Sequence, residues 1–582
     1  MVATPAARPA LSPPVGSGRA TASLVLVAAS VVVFMPGGFD RFVWPKLAFA
    51  ALAVGVGMWA PGSGRLPRTI WIPVAAALAA IVVSAAASAA PLSSLLGRWP
   101  RYEGLPVLLL YVGSAVLGAH LLGTGDRGRA EFFRRALVVA AALMAVVAWA
   151  EIAGFAPLGR GDVERSGGLL GNATDQAVVA LMIAAVLVVP ALARETWALV
   201  GIVCAGSVVA VSGSRAVLLA TVVVVAVHVL ARRDRSALVL LPATAVVGLT
   251  AVCVPVVRNR LLDAATFDVR RVLWADSIDL LGHHLLLGVG PSGYVDAIGA
   301  HLSDGWLDVA SAAGGAPDSP HVWVLQAWNA GGVVGLAAVL VLAVVVLVRG
   351  LRRVQQEEQD GFAIGAFAAV LAYGLVLLTH FTIAGTVVLA AFLAGALVAE
   401  GGVVPRSTVL ASSVLATLFV PWALAASVAD VQVQLGVTHA MSGDAVAADR
   451  EFAAAAGTRG WDSDVAMLAA QSLAGALSSD PEAVDLTIDW ADRSLERTPD
   501  TYATRLARAV ALNASGRQGE ALQALDELVA DAPAEADPRI QRAIARLSTG
   551  DVGGARTDVE QAERIDRDHP AIAPIKRVLA SQ

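Results

Sequence analysis

The chain has 582 residues, 57% of them hydrophobic and only 15% charged. A soluble globular domain carries about 25% charged residues. Here the apolar residues gather into runs of about 20, the length that crosses about 30 Å of hydrocarbon, so a purely soluble fold is excluded. The two cysteines, Cys204 and Cys253, lie inside apolar runs, which argues against a disulfide framework or a cysteine metal site. The net charge of −5 gives no reason to expect a nucleic-acid partner.

Residues 1–20, rich in Pro, Ala and Ser, read as a disordered cytoplasmic tail. The apolar run after them has no convincing cleavage site and reads as a retained first span. Candidate spans then follow at 21–36, 43–60, 70–90, 105–122, 136–154, 173–193, 197–213, 215–231, 237–257, 321–348, 362–380, 383–399 and 407–428, about thirteen helices in a transmembrane unit over 21–429.

The basic loops set the orientation. Arg65 and Arg68, then Arg127, Arg129, Arg134 and Arg135, then Arg232, Arg233 and Arg235, then Arg349, Arg352 and Arg353 fall in alternate loops. The positive-inside rule puts these in the cytoplasm. The segments 91–104, 155–172, the Ser-Gly-Ser-Arg turn at 212–215, the long segment 258–320 and everything after 430 then lie on the outer face.

After 430 the composition turns polar, and a second unit over 430–582 is expected to be α-helical, soluble and extracytoplasmic. Gly516 and Ala521 are followed 34 residues later by Gly550 and Ala555, and Gly443 and Ala448 show the same spacing earlier. A period near 34 with small residues where helices cross is similar to a degenerate tetratricopeptide repeat. Such a unit would bind a protein partner or guide an acceptor.

Several arginines stand on the outer face against the charge rule: Arg98 and Arg101 in GRWPRYEG, Arg160, Arg165, Arg215, Arg258, Arg260, Arg270 and Arg271. Arg215 sits in a turn of a few residues between two apolar runs. It either snorkels to headgroups or serves an anionic ligand. In the long segment, Arg271, Trp274, Ser277 and Ile278 are spaced to share a helix face. Gly288-Val289-Gly290-Pro291-Ser292-Gly293 lacks the strand–helix context of a dinucleotide loop and the lysine of a phosphate loop, so nucleotide binding is rejected. His321 opens the next apolar span. The positive end of a helix dipole favours the neutral imidazole, which can act as a general base, although an interfacial histidine has the same sequence signature. No metal site and no cofactor is expected, since neither a His-Glu-x-x-His motif nor a carboxylate cluster with ligand spacing is present. Arginines with one base suit a substrate already activated by a diphosphate.

Four segments in order resemble the O-antigen ligase and polymerase superfamily of bacterial membrane glycosyltransferases. They are RYEGLPVLLLY at 101–111, GGLLGNATDQAVVALM at 167–182, SGSRAVLLA at 212–220, and RRVLWADSIDLLGHHLLLGVGPSGY followed by SPHVWVLQAWNAGGVVG. The resemblance runs from about 90 to 400. It implies an all-α polytopic fold, a polyprenyl-diphosphate-linked glycan as donor, and metal-independent, inverting transfer on the outer face of the cytoplasmic membrane. It assigns catalytic roles to Arg215, Arg271 and His321, and substrate contacts to Arg270, Arg101, Asn172 and Trp274. The chain departs from the family at Val322, where asparagine is frequent, and at His283-His284, where proline is frequent.

The resemblance leaves the acceptor open between a glycan, a lipid and a protein hydroxyl, and leaves ligase, repeat-unit polymerase and protein O-oligosaccharyltransferase as alternatives. A flippase or an envelope scaffold is the non-enzymatic alternative. A flippase is expected to carry an inverted repeat, which the sequence does not show. A scaffold would lose all function without 430–582, whereas an enzyme core would keep basal transfer.

Overall fold

The computed structural model describes residues 18–581 except 124, 156–157, 159–165, 233–234, 263–264, 310–316 and 357–360. Arg160, Arg165, Arg233 and most of the expected tail lie outside the described residues. Among the described residues the fold is all-α. Its strands are Gly64–Arg65 and Glu400–Gly401, two residues each and paired antiparallel.

Eight helices are long and apolar enough to cross a membrane, and five shorter apolar helices (Gly18–Ser30, Trp44–Gly57, Thr196–Val211, Phe362–Val376 and Ala384–Val398) accompany them. Together they match every expected span, and the chain is a multi-pass membrane protein. The first span ends early, at Ser30 rather than 36. The buried Lys46 ammonium donates to the carbonyls of Val31 (3.0 Å) and Val33 (2.9 Å), satisfying acceptors just past the helix end.

The two ends of the bundle are distinct. Arg349 Nε donates to Thr69 Oγ1 (3.2 Å), Arg353 Nη2 donates to the Gly123 carbonyl (3.2 Å), and Arg65 pairs with Glu400 (3.3 Å). The basic loops beginning at Arg65, Arg127 and Arg349 therefore share one end. The segments around 98–104, 292–301, 318–321, 377–383 and 464 meet at the other.

Two helices depart from the expected bounds. Trp323–Gln356 runs 34 residues but breaks at Gly331 (φ −146°) and Gly332 (φ +62°). The break frees carbonyls and amides that the 285–290 segment takes up: Val289 and Gly290 both donate to the Asn329 carbonyl, and Val333 donates to the Leu285 carbonyl. The glycine-rich turn thus serves to dock the long loop into a kinked helix. Backbone of this kind is tolerated near a bilayer where protein satisfies it.

Arg406–Met441 runs 36 residues without a linker. At 1.5 Å per residue it is about 54 Å long, well beyond the hydrocarbon thickness, so its polar half becomes the first helix of the repeats. Antiparallel pairs follow: Asp464–Ala476 with Ala483–Leu495, Tyr502–Ala514 with Gln518–Asp531, and Asp537–Ser548 with Val552–Ile565, closed by Ile572–Ala580. The recurring glycines sit in the turns with φ of +79° (Gly443), +80° (Gly516) and +83° (Gly550), conformations that glycine adopts freely. Ala448, Ala521 and Ala555, five residues on, are fully buried at helix crossings. This is the small-residue geometry a tetratricopeptide-like array needs.

Candidate functional site

The loop 97–104 is shaped by its sequence. Gly97 takes φ +86°, and a Cβ on Gly104 would lie 2.2 Å from the Leu96 carbonyl carbon, so the loop closes tightly on itself. Tyr102, at φ +55°, is buried against Trp44, with ring centroids 4.8 Å apart, and under the Arg459 guanidinium at 4.7 Å. Arg98 is buried and bound by Asp464 (2.9 Å), Asp296 and Thr501 (3.0 Å). It joins this loop to the long loop and to the repeats. Burial costs its charge, but the two carboxylates outweigh that and raise its pKa above the ordinary arginine value.

With its neighbours anchored, Arg101 projects toward the 318–321 and 380–382 segments. Nη2 donates to Asp318 Oδ2 at 2.9 Å, and the guanidinium lies 3.8 Å from the Phe381 ring centre. Its Nε and Nη1 are buried without a hydrogen-bond partner. Phe381 also packs against the rings of His321 (5.1 Å) and His380 (4.2 Å). His380 Nε2 stands 3.1 Å from Asp175 Oδ1 in the first turn of Ala173–Leu192. Glu103 accepts from Thr382 Oγ1 (2.6 Å) and Gln326 Nε2 (2.9 Å).

His321 occupies φ +51°, a conformation costing a non-glycine residue about 1–2 kcal/mol, and strain of this kind concentrates at functional sites. Its amide donates to Ser319 Oγ at 3.1 Å, and Trp274 Nε1 braces the turn through the Pro320 carbonyl at 3.0 Å. The imidazole is half-buried, and Nδ1 has no hydrogen-bond partner. Burial, joined by the positive charges of Arg101 and Arg270, outweighs the opposing pull of Asp318 and pushes its pKa down to about 4. The ring is neutral at physiological pH. Burial likewise pushes the Glu103 carboxyl up to about 7 against its hydrogen bonds and Arg101.

The helix Ala265–His283 buries Leu273, Asp276, Ser277, Leu280 and Leu281. That stripe has helical spacing and continues back through Arg270, which is half-buried and acts electrostatically on His321. Arg271 and Ile278 are exposed, so they do not share one face with Ser277 as the spacing suggested. Arg215 opens Arg215–Arg232, which packs on Phe362–Val376. Alternation of the apolar helices along the chain puts Arg215, at the start of its helix, at the same end of the bundle as His380 and Phe381, which follow Phe362–Val376. Asn172 Oδ1 caps Ala173–Leu192 by accepting from the Thr174 amide at 2.8 Å, one turn from the Asp175–His380 pair.

The sequence reading missed Glu103, Asp175, Asp318, His380 and Phe381. Asp175 and His380 are ionisable groups beside long apolar runs, a signal that marks them for inspection. Their pairing across 205 residues leaves no trace in the local sequence.

The O-antigen ligase family model matches residues 200–340, which span the Arg215 turn, the Arg270 helix and His321. No curated protein matches the chain significantly. Among solved structures it is similar to "Crystal structure of APC/C hetero-tetramer Cut9-Hcn1" at 12% identity and TM-score 0.23, over 81% of this chain and 76% of that one, a likeness that carries no argument. Over residues 200–340 the chain is similar to the O-antigen ligase family.

Proposed function

We propose that this multi-pass membrane protein is a glycosyltransferase that moves a glycan from a polyprenyl-diphosphate donor to an acceptor hydroxyl on the outer face of the cytoplasmic membrane, with inversion at the anomeric carbon. The observation that carries the reading is the neutral His321, its Nδ1 unpartnered, packed with Arg101 on Phe381 and within the electrostatic reach of Arg270. Buried polar atoms without partners each cost about 1–3 kcal/mol, and Arg101 Nε and Nη1 lie on the side chain that packs on Phe381 beside this imidazole. A diphosphate supplies the acceptors they lack.

In this mechanism Arg101, Arg270 and Arg215 hold the phosphates while the lipid tail stays in the bilayer. His321 takes the proton from the acceptor hydroxyl. The hydroxyl oxygen attacks the anomeric carbon, and the bond to the diphosphate oxygen breaks. The leaving diphosphate gathers charge beside the arginines, and the imidazolium formed beside it is stabilised by the same anion. Trp274 positions His321, and Asp318 orients Arg101. Asn172 sets the helix end that carries Asp175. The repeats, on the same outer face, would receive the acceptor or a protein partner.

The test is binding of a defined polyprenyl-diphosphate-linked glycan to the purified protein in nanodiscs. Arg101→Ala and Arg270→Ala should each weaken binding by at least about tenfold, the scale of one charge-assisted bond. Undiminished binding in both would overturn the reading.

A further inference from the structure

We propose a divalent-cation site, suited to zinc, formed by Asp279, His283 and His301 on the long loop. One ligand atom from each lies within 4.8 Å of the other two. Asp279 and His283 are four residues apart, on one face of the helix Ala265–His283. His301 comes from the next turn of chain, Ile298–His301, and its Nδ1 stands 2.8 Å from Asp279 Oδ2. The imidazoles of His283 and His301 are 5.1 Å apart, centre to centre.

The ring of His283 is set for coordination. Its Nδ1 donates to the Asp279 backbone carbonyl at 3.0 Å, which fixes the tautomer and leaves the Nε2 lone pair outward, the arrangement seen when a backbone carbonyl orients a metal-binding histidine. Two imidazoles and a carboxylate are the donors zinc takes, with a fourth position for water. Zinc bonds of about 2.0–2.2 Å require the three donors to close in slightly. Asp279 and His283 are exposed and His301 is half-buried, so side-chain rotation suffices. His301 lies 18 residues beyond His283 in sequence, which is why linear spacing gave no sign of the set.

The site would act as a clip. Beneath it Leu273, Leu280, Tyr294, Ile298 and Leu302 form a small separate core, and Ser277 Oγ meets the Tyr294 hydroxyl at 2.7 Å. A cation bridging Asp279 and His301 closes this subdomain from its open side. The same helix carries Arg270 nine residues back, about 14 Å along its axis, so the clip would hold that arginine's element in place. The proposal concerns a structural cation and stands independently of the transfer chemistry.

The experiment is zinc titration calorimetry and thermal unfolding on the full-length protein, tag removed, in detergent. One zinc per chain and a raised Tm are expected, with His301→Ala and Asp279→Asn each weakening zinc binding by more than about tenfold and cancelling the Tm rise. Calcium should produce neither effect, since imidazoles are poor calcium donors. Equal zinc affinity in the wild type and the His283→Ala/His301→Ala variant would overturn the proposal, as would no zinc-dependent Tm change in the wild type.

Discussion

Arg98 and Asp464 are 366 residues apart in sequence and form a buried ion pair at 2.9 Å. The pair binds the repeat helix Asp464–Ala476 to the loop that presents Arg101. Removing one partner of a buried pair costs about 3–5 kcal/mol, because the remaining charge is stranded. Asp464→Ala should lower Tm and reduce transfer together. Replacing Arg98, Asp464 and Asp296 together with apolar side chains of similar volume should recover stability without recovering transfer, since no buried charge is then left without a partner. Deleting 430–582 should therefore impair the membrane unit, beyond removing a passive appendage. Differential scanning calorimetry beside a transfer assay checks both.

The depressed pKa of His321, about 4, predicts a pH profile. The base form exists above that value, so the acid limb of kcat/KM set by this group should fall near pH 4, well below the ordinary histidine value of 6.5. The same shift makes His321 stabilise the fold above pH 6.5 and lose that contribution as pH falls through about 4. Bound diphosphate supplies negative charge beside the ring, so the corresponding limb of kcat should move upward. A pH series of kcat and of kcat/KM separates the two.

Glu103 works in the opposite direction. Its folded pKa, raised from 4.5 to about 7, means stability contributed below 4.5 is lost as pH rises through 7. Glu103→Gln should flatten this dependence and raise Tm relative to wild type at pH 8. Thermal unfolding at several pH values, in one detergent, measures the difference.

Adjacent arginines should differ. Arg270 is half-buried and acts on His321, whereas Arg271 is exposed. Arg270→Ala should lower kcat/KM by about tenfold or more, the scale of a charged hydrogen bond, and Arg271→Ala should leave it within about twofold. The two variants assayed side by side decide it.

In the repeats, Gly550 has φ +83° and open space around its Cα. Gly550→Ala therefore meets only the backbone penalty, about 1–2 kcal/mol, which denaturant unfolding can detect.

Much of the fold was legible because hydrophobic run length and loop charge are local signals. The thirteen spans, the Gly516/Ala521 and Gly550/Ala555 register, and the break in composition near 430 all follow from near neighbours. The continuity of Arg406–Met441 was hidden because the composition changes while helical geometry does not. At the proposed site, the ordered motifs offered Arg215, Arg271 with Arg270 as its adjacent rival, and His321. The choice between Arg270 and Arg271 needed the buried stripe through Leu273 and Ser277, which one residue of rotation reverses. Glu103, Asp318 and His380 could not be placed, because their partners lie hundreds of residues away or within loops whose path sequence does not fix.

The most direct test of the central claim is transfer from a defined polyprenyl-diphosphate-linked glycan by purified His321→Ala protein in nanodiscs, with Tm recorded on the same sample. Loss of a general base predicts turnover reduced by about 10²–10⁴-fold while a cooperative unfolding transition shows the fold retained, with inverted anomeric configuration in the residual product. Turnover equal to wild type at unchanged Tm would contradict the account.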